Sequence, residues 1–211
     1  MLPSLGITAW KKESITNLTA QILKNAPKPL ILIDGNGGSG KTTLAKHFVN
    51  ALNANLVSTD DICWGIDPVD WDQEMLEGII YPWLNGEIIA YRPTGWVREN
   101  RPGFIGVDAK KPLIIEGMGA CRKTLRKLSD YSVWVDTEPE IARKRLIERD
   151  LAKGENGGTL ESVTKFTDWW DSLLHPFLLE EKPWQYTDII LSGNQPEMVK
   201  DDMLHIVKRS K

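Results

Sequence analysis

The residues with the clearest chemical meaning lie in the glycine-rich stretch DGNGGSGKTTLAK. Gly35, Gly40, Lys41 and Thr42 satisfy the spacing G-x-x-x-x-G-K-[ST] between an apolar run and a helix-like segment. Glycines let successive backbone N–H groups turn toward one anion, and a helix start adds its positive dipole end. The lysine would reach β- and γ-phosphates, and the threonine hydroxyl would ligate Mg²⁺. The predicted phosphate-binding loop comprises Gly35, Asn36, Gly37, Gly38, Ser39, Gly40, Lys41, Thr42 and Thr43.

Carboxylates follow two other apolar runs at the points where strands are expected to end. Asp60 and Asp61 come after NLVST, and Glu116 closes PLIIEG. In a doubly wound sheet both strand ends lie beside the phosphate loop, where a carboxylate is needed near magnesium. Thr42, Asp60 and Glu116 are therefore candidate metal-site residues, and the acids are candidates for base chemistry. Taken singly, the aspartates could instead cap a helix, and Glu116 could be a solvated loop charge.

Positioning these side chains requires alternating strands and helices. Short apolar runs predict five strands, LILID, NLVST, PLIIEG, YSVWVD and TDIIL, with helix-period segments between them. Such alternation needs crossover connections, so we expect a mostly parallel sheet with helices on both faces. A helix is predicted before the first strand, over 14–25, and another at the end, over PEMVKDDMLHIVKRS. The predicted fold class is α/β, a three-layer sandwich around a five-stranded sheet.

Composition excludes several classes of function. The 211 residues include 26 basic and 29 acidic side chains, so no global positive field attracts nucleic acid or an anionic membrane. No apolar run approaches the roughly 20 residues needed to span a bilayer. Cys63 and Cys121 lack the spacing of a zinc site or a disulfide framework. We expect one cytoplasmic domain over 1–211 that binds neither nucleic acid nor membrane.

Between residues 61 and 111 the chain is rich in aromatic side chains, which suits a pocket for a planar or hydroxylated small molecule. Part of this segment is predicted to be scaffold, because its helix-period tryptophans share one face with other apolar residues. These are Trp71, Met75, Ile79 and Trp83. The better binding candidates lie in the following loop: Tyr91, Arg92, Trp96 and Arg98.

The order and spacing of several motifs resemble the uridine kinase-like branch of P-loop kinases, which includes phosphoribulokinase and one class of pantothenate kinase. IDGNGGSGKTTLA resembles the family's phosphate loop, VSTDDICW its strand ending in DDFY, and LIIEG its VVIFEG strand. RLIERDLAKG resembles its RD-containing lid, and HPFLLEEKPWQYTDIIL its closing segment. The match spans most of the chain.

The resemblance implies an ATP- and Mg²⁺-dependent kinase. It makes Asp60 the general base for an acceptor hydroxyl, with Asp61 one register step away as the alternative. Glu116 would hold water on magnesium or contact substrate. Arg145 and Arg149, four apart on one helical face, would close over the phosphates as a lid, in about 143–158, although ordinary salt-bridging in this charged stretch is an alternative.

The acceptor is a small molecule whose identity the resemblance leaves open. Ile66–Trp71 resembles an acid-containing acceptor loop, which makes Asp70 a candidate contact, and about 61–111 the acceptor-binding insert. At the second acceptor loop the family's aspartate is replaced by Gly95. Uridine or cytidine is the named guess; a sugar phosphate or a pantothenate-like acid is the alternative, since Arg92 and Arg98 could bind an anionic group. A nucleotide-binding regulatory ATPase and a homo-oligomeric assembly also stay open.

Overall fold

A computed structural model describes residues 5–194 and 202–208. Its strands are β1 (Lys11–Ser14), β2 (Leu30–Gly35), β3 (Asn55–Ser58), β4 (Ile89–Tyr91), β5 (Ile105–Val107), β6 (Leu113–Glu116), β7 (Tyr131–Asp136), β8 (Ile189–Ser192) and β9 (Met203–Lys208). Its α-helices are α1 (Ile15–Asn25), α2 (Lys41–Leu52), α3 (Thr59–Cys63), α4 (Asp72–Met75), α5 (Tyr81–Leu84), α6 (Thr94–Arg98), α7 (Lys123–Arg126), α8 (Pro139–Lys153) and α9 (Leu160–Glu181). The predicted alternation of strands and helices is confirmed.

The main sheet has the strand order β1-β9-β8-β7-β2-β6-β3. The stretch from β8 to β3 is parallel, whereas β9 runs antiparallel to β8 and β1 antiparallel to β9. The prediction of five strands was therefore wrong in number, since seven strands form this sheet in the described residues. The five predicted runs form its parallel part, and the additional two extend one edge.

Side chains of the central strands alternate between two buried faces. Leu30 and Leu32 of β2 point into a cluster with the segment between β3 and β6, whereas Ile31 and Ile33 pack against α1 and α2. A third cluster joins Trp134 of β7 to α9. Because both faces of the sheet are covered by helices, the fold is the predicted three-layer α/β sandwich of P-loop proteins.

The helix predicted at the end of the chain is wrong where the structure describes it. Met203–Lys208 forms β9, in which Leu204 and Ile206 are buried and alternate with partly exposed residues. This two-residue period fits a strand pairing with β8, and the short apolar run did not distinguish it from one face of a helix. The rest of that predicted helix lies outside the described residues. The helix before the first strand is confirmed, and Ser14 caps it by accepting the N–H of Asn17 at 3.0 Å.

The segment between β3 and β6 forms a small subdomain that packs against one face of the sheet. Its helices α4 and α5 are joined by a π-helical turn, Leu76–Ile80, and its strands β4 and β5 form an antiparallel pair. The four residues predicted to be scaffold are buried, which confirms that prediction; they are Trp71, Met75, Ile79 and Trp83. The tryptophans of this helical face therefore belong to the core of the subdomain.

Candidate active site

The phosphate-loop sequence forms the turn between β2 and α2. Its glycines adopt the backbone that side chains disfavour, with φ of 75° at Gly38 and 102° at Gly40. At Gly38 there is also no room for a side chain, because a Cβ would lie 2.0 Å from the carbonyl oxygen of Ala142 in α8. The loop is thus held between the sheet and α8, with its backbone at the amino end of α2, as anion binding requires.

Lys41 is the first residue of α2, and its side chain folds back over the loop. Its ammonium donates to the carbonyl oxygen of Asn36 at 2.8 Å, and the residue is buried. Burial lowers the pKa of Lys41, while Glu116, Asp34 and Asp60 act in the opposite direction. The lysine therefore lies among carboxylates at the loop, where phosphate oxygens would supply further partners.

Asp34, at the end of β2, anchors the phosphate loop through hydrogen bonds. Its carboxylate is fully buried and accepts the N–H groups of Gly35 at 2.7 Å, Gly119 at 3.1 Å and Cys121 at 2.9 Å. Burial raises the pKa of Asp34 to about 6, and these hydrogen bonds and Lys41 oppose the rise. The same side chain thus joins the phosphate loop to residues 117–122, the connection after β6, which we call the strap.

Thr42 and Glu116 lie together as the sequence predicted. The Thr42 hydroxyl donates to Glu116 Oε1 at 3.2 Å, and Glu116 Oε2 is buried without a hydrogen-bond partner among the described residues. Burial raises the pKa of Glu116, opposed chiefly by Lys41. In the described part of the chain, no group of three or more His, Cys, Asp or Glu could hold a metal. Two oxygen donors fit Mg²⁺, which usually keeps waters and phosphate oxygens as its other ligands.

The two candidate bases differ in their surroundings. Asp60 is exposed, and its carboxylate has no hydrogen-bond partner within 5–194 and 202–208. Asp61 instead forms an ion pair with Arg101 at 3.1 Å, and its carbonyl accepts the indole N–H of Trp96. Desolvation by the surrounding protein raises the pKa of Asp60, whereas the charge of Lys41 lowers it. Asp60 is therefore available to a substrate hydroxyl, and Asp61 is engaged in its own subdomain.

The two arginines of α8 lie in different surroundings. Arg145 donates to the carbonyl oxygens of Gly193 at 2.6 Å and Asn194 at 3.1 Å, in the loop after β8. Arg149 is half exposed and pairs with the buried Asp150 at 2.7 Å. Arg149 also influences the pKa values of Lys41, Asp60 and Glu116. The structure thus brings Arg149 toward the carboxylates and the phosphate loop, while Arg145 binds the loop after β8, whose Gly193 lies against Ser39 of the phosphate loop.

The predicted acceptor contacts are tied into their own subdomain. Tyr91 donates its hydroxyl to Glu74 at 2.9 Å, Arg92 donates to the carbonyl of Arg101 at 2.8 Å, and Arg98 donates to the carbonyl of Gly65. Trp96 is buried beneath the guanidinium of Arg101, 3.8 Å from the ring centroid, whereas Asp70 is exposed. Glu74, which sequence reasoning missed, gives no signal in the sequence because its partners are 17 and 20 residues away.

The packing of α6 explains the glycine at position 95. A Cβ there would lie 1.8 Å from the carbonyl oxygen of Trp64, so the aspartate of the related pattern has no space.

We expect Gly95→Ala to lower the free energy of unfolding by about 1–3 kcal/mol, because the backbone must shift to make room for the added methyl group. Urea denaturation measures this change. Gly106→Ala, whose Cβ would meet only Phe104 at 3.4 Å, is the control; equal losses in both variants would contradict the packing argument.

Comparisons with known proteins agree with the motifs. No family model matches the chain. It is 29% identical over 201 residues to a uridine kinase of Lactobacillus helveticus, covering 84% of this chain and 92% of that relative. A uridine kinase of Brevibacillus brevis is 28% identical over 197 residues, covering 83% and 89%. A solved structure, described as a possible uridine kinase from Bacillus stearothermophilus, is 17% identical with a TM-score of 0.47, covering 83% of this chain and 96% of that one.

The fold and the glycine-rich loop have the arrangement of the P-loop class of proteins. Within that class, the chain resembles uridine kinases over most of its length. Among the described residues, no helix is both long and apolar enough to cross a membrane.

Proposed function

We propose that this chain is a kinase that transfers phosphate from ATP to a hydroxyl of a small molecule, with uridine or cytidine as the best candidates. The observation that carries the proposal is the convergence of three groups at one edge of the sheet. These are the buried Lys41, the bonded pair Thr42 and Glu116, and the exposed Asp60. Residues 1–211 would form one kinase domain, with about 61–111 as the acceptor-binding insert and about 143–158 as the lid.

The donor half of the site would bind phosphate through backbone N–H groups and the ammonium of Lys41. The N–H groups of Gly35–Thr43 and the amino end of α2 would cradle the phosphates, and Lys41 would exchange its bond to Asn36 for phosphate oxygens. Thr42 and Glu116 would hold Mg²⁺, the latter directly or through water. When bound, the ion would neutralise charge on the β- and γ-phosphates.

The acceptor half positions a hydroxyl and receives its proton. The acceptor oxygen forms a bond to the γ-phosphorus while the bond from that phosphorus to the β–γ bridging oxygen breaks. Asp60 orients the hydroxyl in line and takes its proton as the new bond develops, and ADP leaves with the bridging oxygen. Arg149 would close over the transferred group and help to exclude water. Arg145 would act from α8, beside the loop after β8 that it already contacts.

The charges around the acceptor region support an uncharged acceptor over a sugar phosphate or a pantothenate-like acid. Asp60, Asp61 and Asp70 bring carboxylates to this region, and Asp61 already pairs with Arg101. The two arginines that could bind an anionic group donate to backbone carbonyls of the insert instead. A nucleoside fits this environment, because its sugar offers hydroxyls and its base offers a planar surface to aromatic side chains.

ADP release should distinguish the acceptors. We would incubate the protein with Mg-ATP and, separately, uridine, cytidine, other nucleosides, a sugar phosphate and pantothenate. Stimulation by a nucleoside with formation of its monophosphate supports the proposal, and stimulation only by an anionic acceptor overturns its acceptor part. ATP consumption that no acceptor changes would indicate the regulatory ATPase instead.

A further inference from the structure

Arg122, in the strap, is a buried cation outside the proposed transfer machinery. Only 4% of its surface is exposed, and burial lowers its pKa while Asp72 opposes the fall. Its guanidinium lies between two rings, 3.9 Å from the centroid of Trp71 and 4.7 Å from that of Phe177 in α9. The side chain thus touches the insert and the helix that follows the lid.

The contacts of Arg122 with the insert fall on the loop that we propose contacts the acceptor. Its guanidinium donates to the carbonyl oxygen of Val69 at 2.7 Å and pairs with Asp72 at 3.5 Å, where α4 begins. These partners flank Asp70 and Trp71. One side chain therefore fixes both the end of the acceptor loop and the start of the scaffold helix.

On its other side, Arg122 is connected to the phosphate loop. Its Nε donates to the carbonyl of Gly119 at 3.1 Å, and the N–H of Gly119 donates to Asp34 at 3.1 Å. Asp34 also accepts the N–H of Gly35, the last residue of β2. A continuous set of hydrogen bonds therefore runs from the phosphate loop through the strap to the insert.

The bonding of Arg122 is poorly suited to stability alone. Its NH2 nitrogen is buried and has no hydrogen-bond partner among the described residues. Leaving a buried donor unsatisfied is costly, and a whole buried ion pair can often be replaced by apolar side chains without loss of stability. A planar fork that spans Gly119 and Val69 does provide fixed geometry, which a flexible apolar side chain does not.

We infer that Arg122 is a positioning residue that holds the acceptor loop at a fixed distance from the phosphate loop, and so sets affinity for the acceptor. The inference rests on the proposed function for its kinetic consequence. Its structural part, the attachment of residues 66–80 to the strap, stands on the contacts alone.

The test compares Arg122→Met with Arg126→Met in the full chain. Arg126 is a matched control because it also lies over a ring, that of Tyr186 at 4.8 Å, but pairs with Glu181 and not with the insert. For Arg122→Met we expect the KM for the acceptor to rise by a factor on the order of 10 or more, with the KM for ATP nearly unchanged. Equal changes in both KM values, or the same changes in Arg126→Met, would overturn the inference.

Hydrogen exchange of backbone amides separates this inference from the proposed function, since it needs no acceptor. Arg122→Met should accelerate exchange across residues 66–80, whereas Arg126→Met should leave that segment as in the wild type. Unchanged exchange in Arg122→Met would overturn the attachment, whatever the acceptor screen gives. Faster exchange in a protein that phosphorylates no acceptor would support the attachment and refute the kinase.

Discussion

Replacing Asp60 with asparagine is expected to lower kcat by a factor on the order of 100 or more while ATP still binds. Asparagine preserves the size of the side chain but cannot accept the proton of the acceptor hydroxyl. Among the described residues the Asp60 carboxylate makes no hydrogen bond to the phosphate loop, so the substitution removes a charge near Lys41 but should leave the loop backbone in place. Turnover at saturating acceptor measures the first effect, and calorimetric titration with ATP measures the second.

Asp61→Asn is the matched control for the base. Since Asp61 is paired with Arg101, its loss should disturb the insert and raise the KM for the acceptor more than it lowers kcat. Wild-type turnover in Asp60→Asn combined with a large fall of kcat in Asp61→Asn would assign the base to Asp61 instead. The two neighbouring carboxylates are thereby distinguished by kinetics.

Lys41→Met is expected to weaken ATP binding by roughly 10- to 100-fold and to lower kcat as well. Hydrogen bonds from a charged group are worth about 1.5–3 kcal/mol, and methionine retains the apolar stem without the ammonium. Binding of ATP and of ADP should both be titrated, because a lysine that reaches the γ-phosphate affects ATP more strongly.

Lys46→Met provides the control, because Lys46 is exposed on the same helix α2 and lies away from the loop. Its ATP affinity should equal that of the wild type. An unchanged ATP affinity in Lys41→Met would count against nucleotide binding at this loop.

The central parallel strands β2, β6, β7 and β8 were predictable because they are buried on both faces and therefore read as continuous apolar runs. The two strands added beyond β8, which are β1 and β9, were not predictable. The sequence of β1, KKES, is polar, and its pairing with β9 depends on residues nearly 200 positions away. For β9 the short run MLHIVK fits either period, so only its position beside β8 determines its structure.

At the candidate site, contacts within a local motif could be predicted from the sequence, whereas most contacts between distant residues could not. The phosphate loop is a local motif, and its backbone could be expected from glycine spacing alone. The approach of Thr42 to Glu116 followed from where parallel strands end. By contrast, the pairing of Asp61 with Arg101 and the bridge made by Arg122 depend on the folded path of the insert. The close approach of Trp64 to Gly95 likewise appears only in three dimensions.

The two native thiols are expected to react slowly, which allows a cysteine introduced elsewhere to be labelled selectively. Cys63 and Cys121 are buried, and burial raises the pKa of Cys63 to about 12 and that of Cys121 well above its usual value. The thiolate is the form that attacks alkylating reagents, so a cysteine introduced at an exposed position would be labelled first. Ile88 in the insert and Lys153 at the end of α8 are such positions. Fluorophores attached there would test whether the proposed lid moves relative to the insert during turnover, with the native cysteines left in place.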